Sequence, residues 1–166
     1  AARHVTVTGK TLPEITAPVA IDGYTQPDSQ TPRWFDLGYN VAISGQDLAA
    51  AADCFVVSGG DTLIRGLGIE DFPGNAFVLH GAGANRIEGN YIPRAGGGVL
   101  IESGSNNVVG GLLDEQYNLV GEYGHRFANL GVTVLATHHQ QLVDHPLSGP
   151  SHRSTTPVAP VGPGVH

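Results

Sequence analysis

The stretch from Cys54 to Gly111 decides the fold. It reads CFVVSGGDTLIRGLGIEDFPGN, then AFVLHGAGANRIEGNYIPRAGG, then GVLIESGSNNVVGG. When the three lines are written under one another they repeat, and Val57, Leu79 and Ile101 fall in one column, each 22 residues after the last. Short β-branched runs separated by Gly and Asn at such a period are typical of a solenoid. Because no helical stretch separates the runs, the sequence predicts a parallel β-helix.

The motif apolar-x-apolar-polar-Gly also occurs outside this stretch. Copies begin at Val5, Val19, Val41, Phe55, Phe77 and Val99, with a degenerate last copy at Val132. They predict one column of about six to seven coils, whose inward side chains stack about 4.8 Å apart. We therefore expect a parallel β-helix over residues 1–145. Residues 146–166 contain five prolines and no strand or helix pattern, which predicts an extended tail.

Composition excludes some functions. The 166 residues fit one domain, and 40% apolar content is enough for a core. A net charge of −7 without a basic patch argues against a nucleic-acid partner, and no apolar run is long enough to span a membrane. The absence of Met predicts a processed chain or a fragment. The single cysteine, Cys54, is interpreted as a small buried hydrophobe.

Several segments together resemble one family. LPEITAPVAIDGYTQP (Leu12–Pro27), IRGLGIEDF, NRIEGNYI and NNVVGG resemble the bacterial right-handed parallel β-helix repeat proteins, over roughly Val5 to Val120. The resemblance implies an all-β, single-stranded, right-handed β-helix, exported or located at the cell surface. It does not imply one activity, because this architecture is used by lyases, glycosidases, adhesins and filament-forming proteins.

Candidate catalytic residues lie at the ends of the repeated strands. Ser58, His80 and Glu102 share one column, in the order of a nucleophile, a base and an orienting carboxylate. Asp71, after the IRGLGIE strand, is a candidate carboxylate for glycoside hydrolysis, as is Glu102. Polar residues between a strand and a Gly are also ordinary turn chemistry. We therefore expect no catalysis, with Glu102, His80 and Asp71 as the weak candidates.

No cofactor or metal is expected. The histidines outside the repeat include one cluster, which consists of His138, His139, His145 and His152. This cluster lacks the spacing and the carboxylates of zinc sites, so we interpret it as solvated. The glycines recur with the coil and do not precede a helix, so they do not form a phosphate loop.

Some residues suggest contacts with sugars, and others suggest structural roles. Trp34 and Tyr39, in the predicted excursion 24–40, are candidates for stacking on sugar rings. The tail has the composition of an O-glycosylated stalk, with candidate sites at Ser151, Ser154, Thr155 and Thr156. Asn85 and Asn107 share a turn position and are interpreted as structural, and Arg65 is expected beside Glu88.

The outward residues of the predicted strands form an apolar stripe. Its members are Ala20, Ala42, Val56, Val78 and Leu100. Such a stripe is normally covered, so it predicts an interface. The sequence therefore favours a non-catalytic extracellular structural protein that self-associates through this stripe, its open ends and its tail. A carbohydrate-active β-helix enzyme and a carbohydrate-binding or adhesive module remain the alternatives, with polysaccharide or attached O-glycans as further partners.

Overall fold

The structure is a computed structural model that describes residues 3–27, 41–49, 51–116, 118–121, 132–134 and 141–143. The described part is all-β. Its strands are β1 (Arg3–Thr8), β2 (Ala20–Asp22), β3 (Val41–Asp47), β4 (Phe55–Val57), β5 (Leu63–Arg65), β6 (Leu67–Leu79), β7 (Arg86–Glu88), β8 (Tyr91–Ile101), β9 (Val108–Gly110), β10 (Leu119–Val120), β11 (Val132–Val134) and β12 (Gln141–Val143). Two single 3₁₀ turns, Gly23–Thr25 and Asp114–Gln116, interrupt the strands.

Parallel pairing arranges these strands in three faces. The first face consists of β4, the ends of β6 and β8, and β11. The second face consists of β2, β5, β7, β9 and β12. The third face consists of β1, β3, the beginnings of β6 and β8, and β10. The described strands visit the faces in turn, which makes a parallel β-solenoid of about three turns.

The core is built from columns of apolar side chains that stack from turn to turn. On the first face Val57, Leu79 and Ile101 are fully buried, as the repeat predicts. The rings of Phe55 and Phe77 stack beside them, with centroids 5.7 Å apart and planes 12° apart. The second face adds a column of Ile21, Ile64, Ile87 and Val109, and the third a column of Val5, Ile43, Ile69, Ile92 and Val120.

The predicted register of the first copies is wrong. Val5 and Val41 belong to strands of the third face, and Val19 precedes a strand of the second face, so none of them stacks on Phe55. A strand on any of the three faces needs inward apolar residues, and the polar residue and Gly of the motif suit the corner that follows it. The same motif therefore occurs on all three faces. The last copy, at Val132, does pair with Val99 in the second half of β8.

The remaining predictions about organisation are partly covered by the structure. The count of six to seven coils in one column is not confirmed, and the right-handed sense stays a prediction. The tail 146–166 lies outside the described residues. The 3₁₀ turn Asp114–Gln116 separates β9 from β10.

Candidate functional site

The column of Ser58, His80 and Glu102 forms, but not as a catalytic triad. The pairing of the strands before them places the three residues on successive turns. Among the described residues, no hydrogen bond joins Ser58 to His80 or His80 to Glu102. Instead, the His80 Nε2 atom lies 3.3 Å from Oε1 of Glu14, and both side chains are partly exposed. The described contacts therefore fit polar turn residues better than a nucleophile with its base.

Asp71 is held by an arginine of the next turn. Its Oδ1 atom accepts a hydrogen bond from Arg94 Nε at 2.7 Å, and its Oδ2 atom accepts one from Arg94 Nη2 at 3.1 Å. The same Nη2 atom lies 3.1 Å from Oε2 of Glu70. The bonds from Arg94 lower the pKa of Asp71. A carboxylate that stays ionised in this way is unsuited to act as a general acid.

The second face carries a ladder of charged side chains. Arg65 donates from Nε and Nη2 to Oδ2 of Asp22, at 2.9 and 2.7 Å, and its Nη1 atom lies 3.8 Å from Oε1 of Glu88. Glu88 is 3% exposed and also accepts from Arg86 at 2.9 Å and from Gln116 at 3.3 Å. The predicted neighbours Arg65 and Glu88 are thus confirmed in register. Within this ladder, the carboxylates are occupied by intramolecular contacts.

The closest partner of Arg65, Asp22, was not predicted. The sequence assigned the strand before Asp22 to the first face, whereas β2 pairs with β5 and brings Asp22 opposite Arg65. Hydrogen bonding to Asp22 raises the pKa of Arg65. The signal that was available is the shared pattern Ala-Ile-Asp and Leu-Ile-Arg, in which opposite charges follow an inward Ile.

Tyr24 is the one described aromatic residue of the predicted excursion 24–40. Its hydroxyl donates to the carbonyl of Gly89 at 2.6 Å, and its ring lies 5.9 Å from the guanidinium carbon of Arg65. Burial raises the pKa of its hydroxyl. Tyr24 therefore packs on the solenoid itself. The sugar-contact candidates Trp34 and Tyr39 lie outside the described residues, as do Ser151, Ser154, Thr155 and Thr156.

Buried asparagines connect the turns at the corner between the first and second faces. Asn85 Oδ1 accepts from the backbone N–H of Thr62 at 3.1 Å. Both the backbone N–H and the Nδ2 group of Asn85 donate to Oδ1 of Asn107, each at 3.0 Å. The structural interpretation of Asn85 and Asn107 is confirmed. Each amide satisfies a backbone donor of the preceding turn that would otherwise be buried without a partner.

A second amide ladder, at the corner between the second and third faces, was missed. Asn90 Oδ1 accepts from Leu67 N–H at 3.2 Å, and Asn118 Oδ1 accepts from Asn90 N–H at 3.0 Å. Asn118 also donates to the carbonyl of Ile87 at 2.6 Å. The insertion before Asn118 lengthens this spacing to 28 residues, so it does not show in a period of 22. In the sequence, each of these two asparagines stands two residues before an apolar residue of the next strand. This spacing is the signal from which the second ladder could have been predicted.

The predicted apolar stripe does not form one column. Ala20 lies on the second face and Ala42 on the third, while Val56, Val78 and Leu100 align on the first. Ala42 and Val78 are 1% and 6% exposed, so the protein already covers them. The five residues are therefore not a continuous exposed patch, and an interface at the three aligned residues stays a prediction.

The ends of the solenoid differ from its middle. β1 is the outermost strand of the third face, and no described strand pairs with its outer edge. Val5, in the inward column of that face, is 51% exposed, whereas Ile69 and Ile92 of the same column are fully buried. An apolar residue that points along a core and still meets solvent marks an uncovered end.

The described residues give few other candidates. They contain no group of three His, Cys, Asp or Glu side chains close enough to hold a metal ion. None of their helices has the length and hydropathy needed to cross a membrane. Cys54 is buried, and its burial raises the pKa of the thiol, in agreement with its interpretation as a small hydrophobe. The cluster of His138, His139, His145 and His152 lies outside the described residues.

Comparisons with known proteins find no match for this chain. No family model matches the sequence, and no curated protein or solved structure matches it significantly. The resemblance to the β-helix repeat family consequently stays a prediction.

Proposed function

We propose that this protein is a non-catalytic structural subunit that self-associates through the open ends of its solenoid. The observation that carries the proposal is the 51% exposure of Val5 in a column whose central members, Ile69 and Ile92, are fully buried. Covering such an end removes apolar surface from water, at about 25 cal/mol per Å². It also supplies partners for the backbone groups along the outer edge of β1.

The contacts of the candidate catalytic residues agree with this proposal. Asp71 is bound by Arg94, and His80 faces Glu14, on the outside of the solenoid. Glu88 is surrounded by donors of its own molecule. A catalytic group needs access to a substrate, and intramolecular donors already occupy the carboxylates of Asp71 and Glu88.

Two parts of the proposal rest on the sequence alone. The extracellular location follows from the resemblance to exported β-helix proteins. A contribution of the tail follows from its proline-rich composition, which suits an extended connector between subunits.

The size of the full chain in solution tests the proposal. We expect sedimentation velocity to show a mass that rises with protein concentration, and electron microscopy to show elongated particles. Deletion of residues 146–166 should shorten these particles if the tail contributes. A chain that stays monomeric at every concentration up to the millimolar range contradicts the proposal.

A further inference from the structure

We propose that the copies stack head to tail, so that β1 of one molecule pairs with β10 of another and continues its winding. This inference rests on the proposed function, because it specifies the partner and the direction of the self-association.

The two ends of the solenoid are complementary. The described strands begin on the third face with β1 and end with β11 on the first face and β12 on the second. The next strand in this winding order would lie on the third face beside β10, where no described strand lies. β1 of a second copy fits this place, because it is a third-face strand that already pairs in parallel with its neighbour β3.

The apolar column of the third face leads to the same partner. It begins at Val5, which is 51% exposed, and ends at Val120, which is partly buried. The pairs Val5–Ile43 and Ile92–Val120 place the two valines at opposite ends of this column. Stacking Val5 of one copy on Val120 of another therefore continues the column across the junction.

The backbone ladder can continue in the same way. Across the pair of Ile92 and Val120, the N–H of Gly121 donates to the carbonyl of Ile92 at 2.9 Å. One turn further, the same parallel pattern has the N–H of Thr6 from the second copy donating to the carbonyl of Val120. The side chain of Thr6 is exposed to solvent, so it does not have to leave a buried position when the edge of β1 pairs with a second copy.

The stacking predicts the shape of the assembly. An interface between two different ends leaves one of each end unused, so it generates an open filament and not a closed dimer. Each copy contributes five strands to the third face. At about 4.8 Å per strand the subunits should repeat every 24 Å or so along the fibre axis.

The variant Thr6→Pro tests the junction. Proline removes the N–H that would donate to the second copy and places its ring at the outer edge, while alternation keeps the β1–β3 bonds on other residues. We expect its self-association to weaken at least tenfold in sedimentation velocity, with Thr6→Ala assembling as the natural chain does. Assembly of Thr6→Pro at natural strength, with a natural circular dichroism spectrum, overturns the inference.

The variant Val5→Lys covers the case in which Thr6→Pro fails to fold. Val5 is half-exposed, so a lysine head group can reach water in the single molecule but not between stacked copies. We expect a folded, monomeric protein. Natural assembly by this variant also contradicts the stacking of Val5 on Val120.

Mixing the Thr6→Pro variant with the natural protein tests whether the copies stack head to tail. A Thr6→Pro molecule keeps its β10–β12 end, so it should bind natural filaments at one end and shorten them when added at about one part in ten. If copies instead pair through two β1 edges, assembly stops at dimers and the added variant has no effect. That result overturns the head-to-tail inference and leaves the proposed function standing, whereas a monomeric natural chain removes both.

Discussion

Two kinds of side-chain contact connect successive turns of this solenoid, and they differ in what they stabilise. At the corners, Asn85 and Asn107 are buried and bond backbone donors of the turn below. On the outer surface, Asp71 and Arg94 form a charged pair, and both side chains are substantially exposed. The amides satisfy groups that cannot reach water, whereas the charged pair replaces contacts that water would make. We therefore expect large effects at the amide ladders and small effects at the charged contacts.

The largest effect should come from Asn85→Ala. The substitution leaves the N–H of Thr62, a residue 1% exposed, without its acceptor and removes the side-chain bond from Asn85 Nδ2 to Asn107, whereas the backbone N–H of residue 85 keeps its bond to Asn107. Since each unmade buried bond costs about 1–3 kcal/mol, we expect a loss of about 3 kcal/mol in the free energy of unfolding. Urea denaturation measures it.

The control is the neighbouring asparagine of the same corner. Asn106 is exposed and has a φ of 60°, so Asn106→Gly keeps the backbone conformation and removes an amide that faces solvent. We expect a change within about 0.5 kcal/mol. Equal losses for Asn85→Ala and Asn106→Gly would show that the amide ladder has no special role.

Glu88→Gln should have an intermediate effect on stability. Glu88 makes charged contacts, as Asp71 does, but it is buried, as the asparagines of the ladders are. Glutamine keeps the shape but removes the charge that faces Arg65 and Arg86. Charged hydrogen bonds contribute about 1.5–3 kcal/mol, and the exposed arginines can regain water, so we expect a loss of about 1–2 kcal/mol. Thermal unfolding monitored by circular dichroism measures it.

Glu102→Gln is the matched control for Glu88→Gln. Glu102 is exposed and has no described ion pair. We expect a change of less than about 0.5 kcal/mol in unfolding free energy. If the two substitutions cost the same, burial does not explain the difference between the two kinds of contact.

The repeat in the sequence predicts the first face well and the other faces poorly. Val57, Leu79 and Ile101 keep one spacing, and inward stacking requires similar side chains at each turn, so pattern and structure agree there. Val19 and Val41 carry the same motif on other faces, because a corner follows every strand. Motif spacing alone therefore predicts a solenoid but not which face a strand occupies.

The site was less predictable, because its contacts join residues far apart in the chain. Glu14 and His80 meet because their segments are brought together by a bridge between Ile15 and Val57. Nothing in either segment indicates this contact. The exposure of Val5 likewise depends on where the winding begins, which a local pattern does not contain.

Ala84→Gly should stabilise the protein. Ala84 is exposed at the corner of the amide ladder and has a φ of 57°, a left-handed conformation that costs an L-residue roughly 1–2 kcal/mol. Glycine relieves this strain but gains freedom in the unfolded chain, so we expect a net gain of about 0.5–1 kcal/mol. Differential scanning calorimetry should show a higher Tm.

Ala82→Gly separates backbone strain from a general effect of glycine. Ala82 is exposed in the same corner and does not have a positive φ. Glycine there gains freedom only in the unfolded chain, so we expect a loss of about 0.5 kcal/mol. A gain in stability for both variants would mean that the left-handed position is not the cause.

The smallest effect should come from Asp71→Asn, at the exposed charged pair. Asparagine tolerates the φ of 57° at this position, so the substitution removes the charge without straining the turn. Because Arg94 lowers the pKa of Asp71, the pair stabilises the protein fully above the unfolded pKa of about 4 and loses that contribution as the pH falls through the lower, folded value. We expect a loss of about 0.5 kcal/mol or less at pH 7 that shrinks as the pH falls below the unfolded value. Asp61, exposed with a φ of 54° and no described ion pair, supplies the control: urea titrations of Asp61→Asn should parallel the natural chain across this range. A loss in Asp71→Asn that persists unchanged at pH 2.5 would mean that something other than the charge of Asp71 connects these two turns.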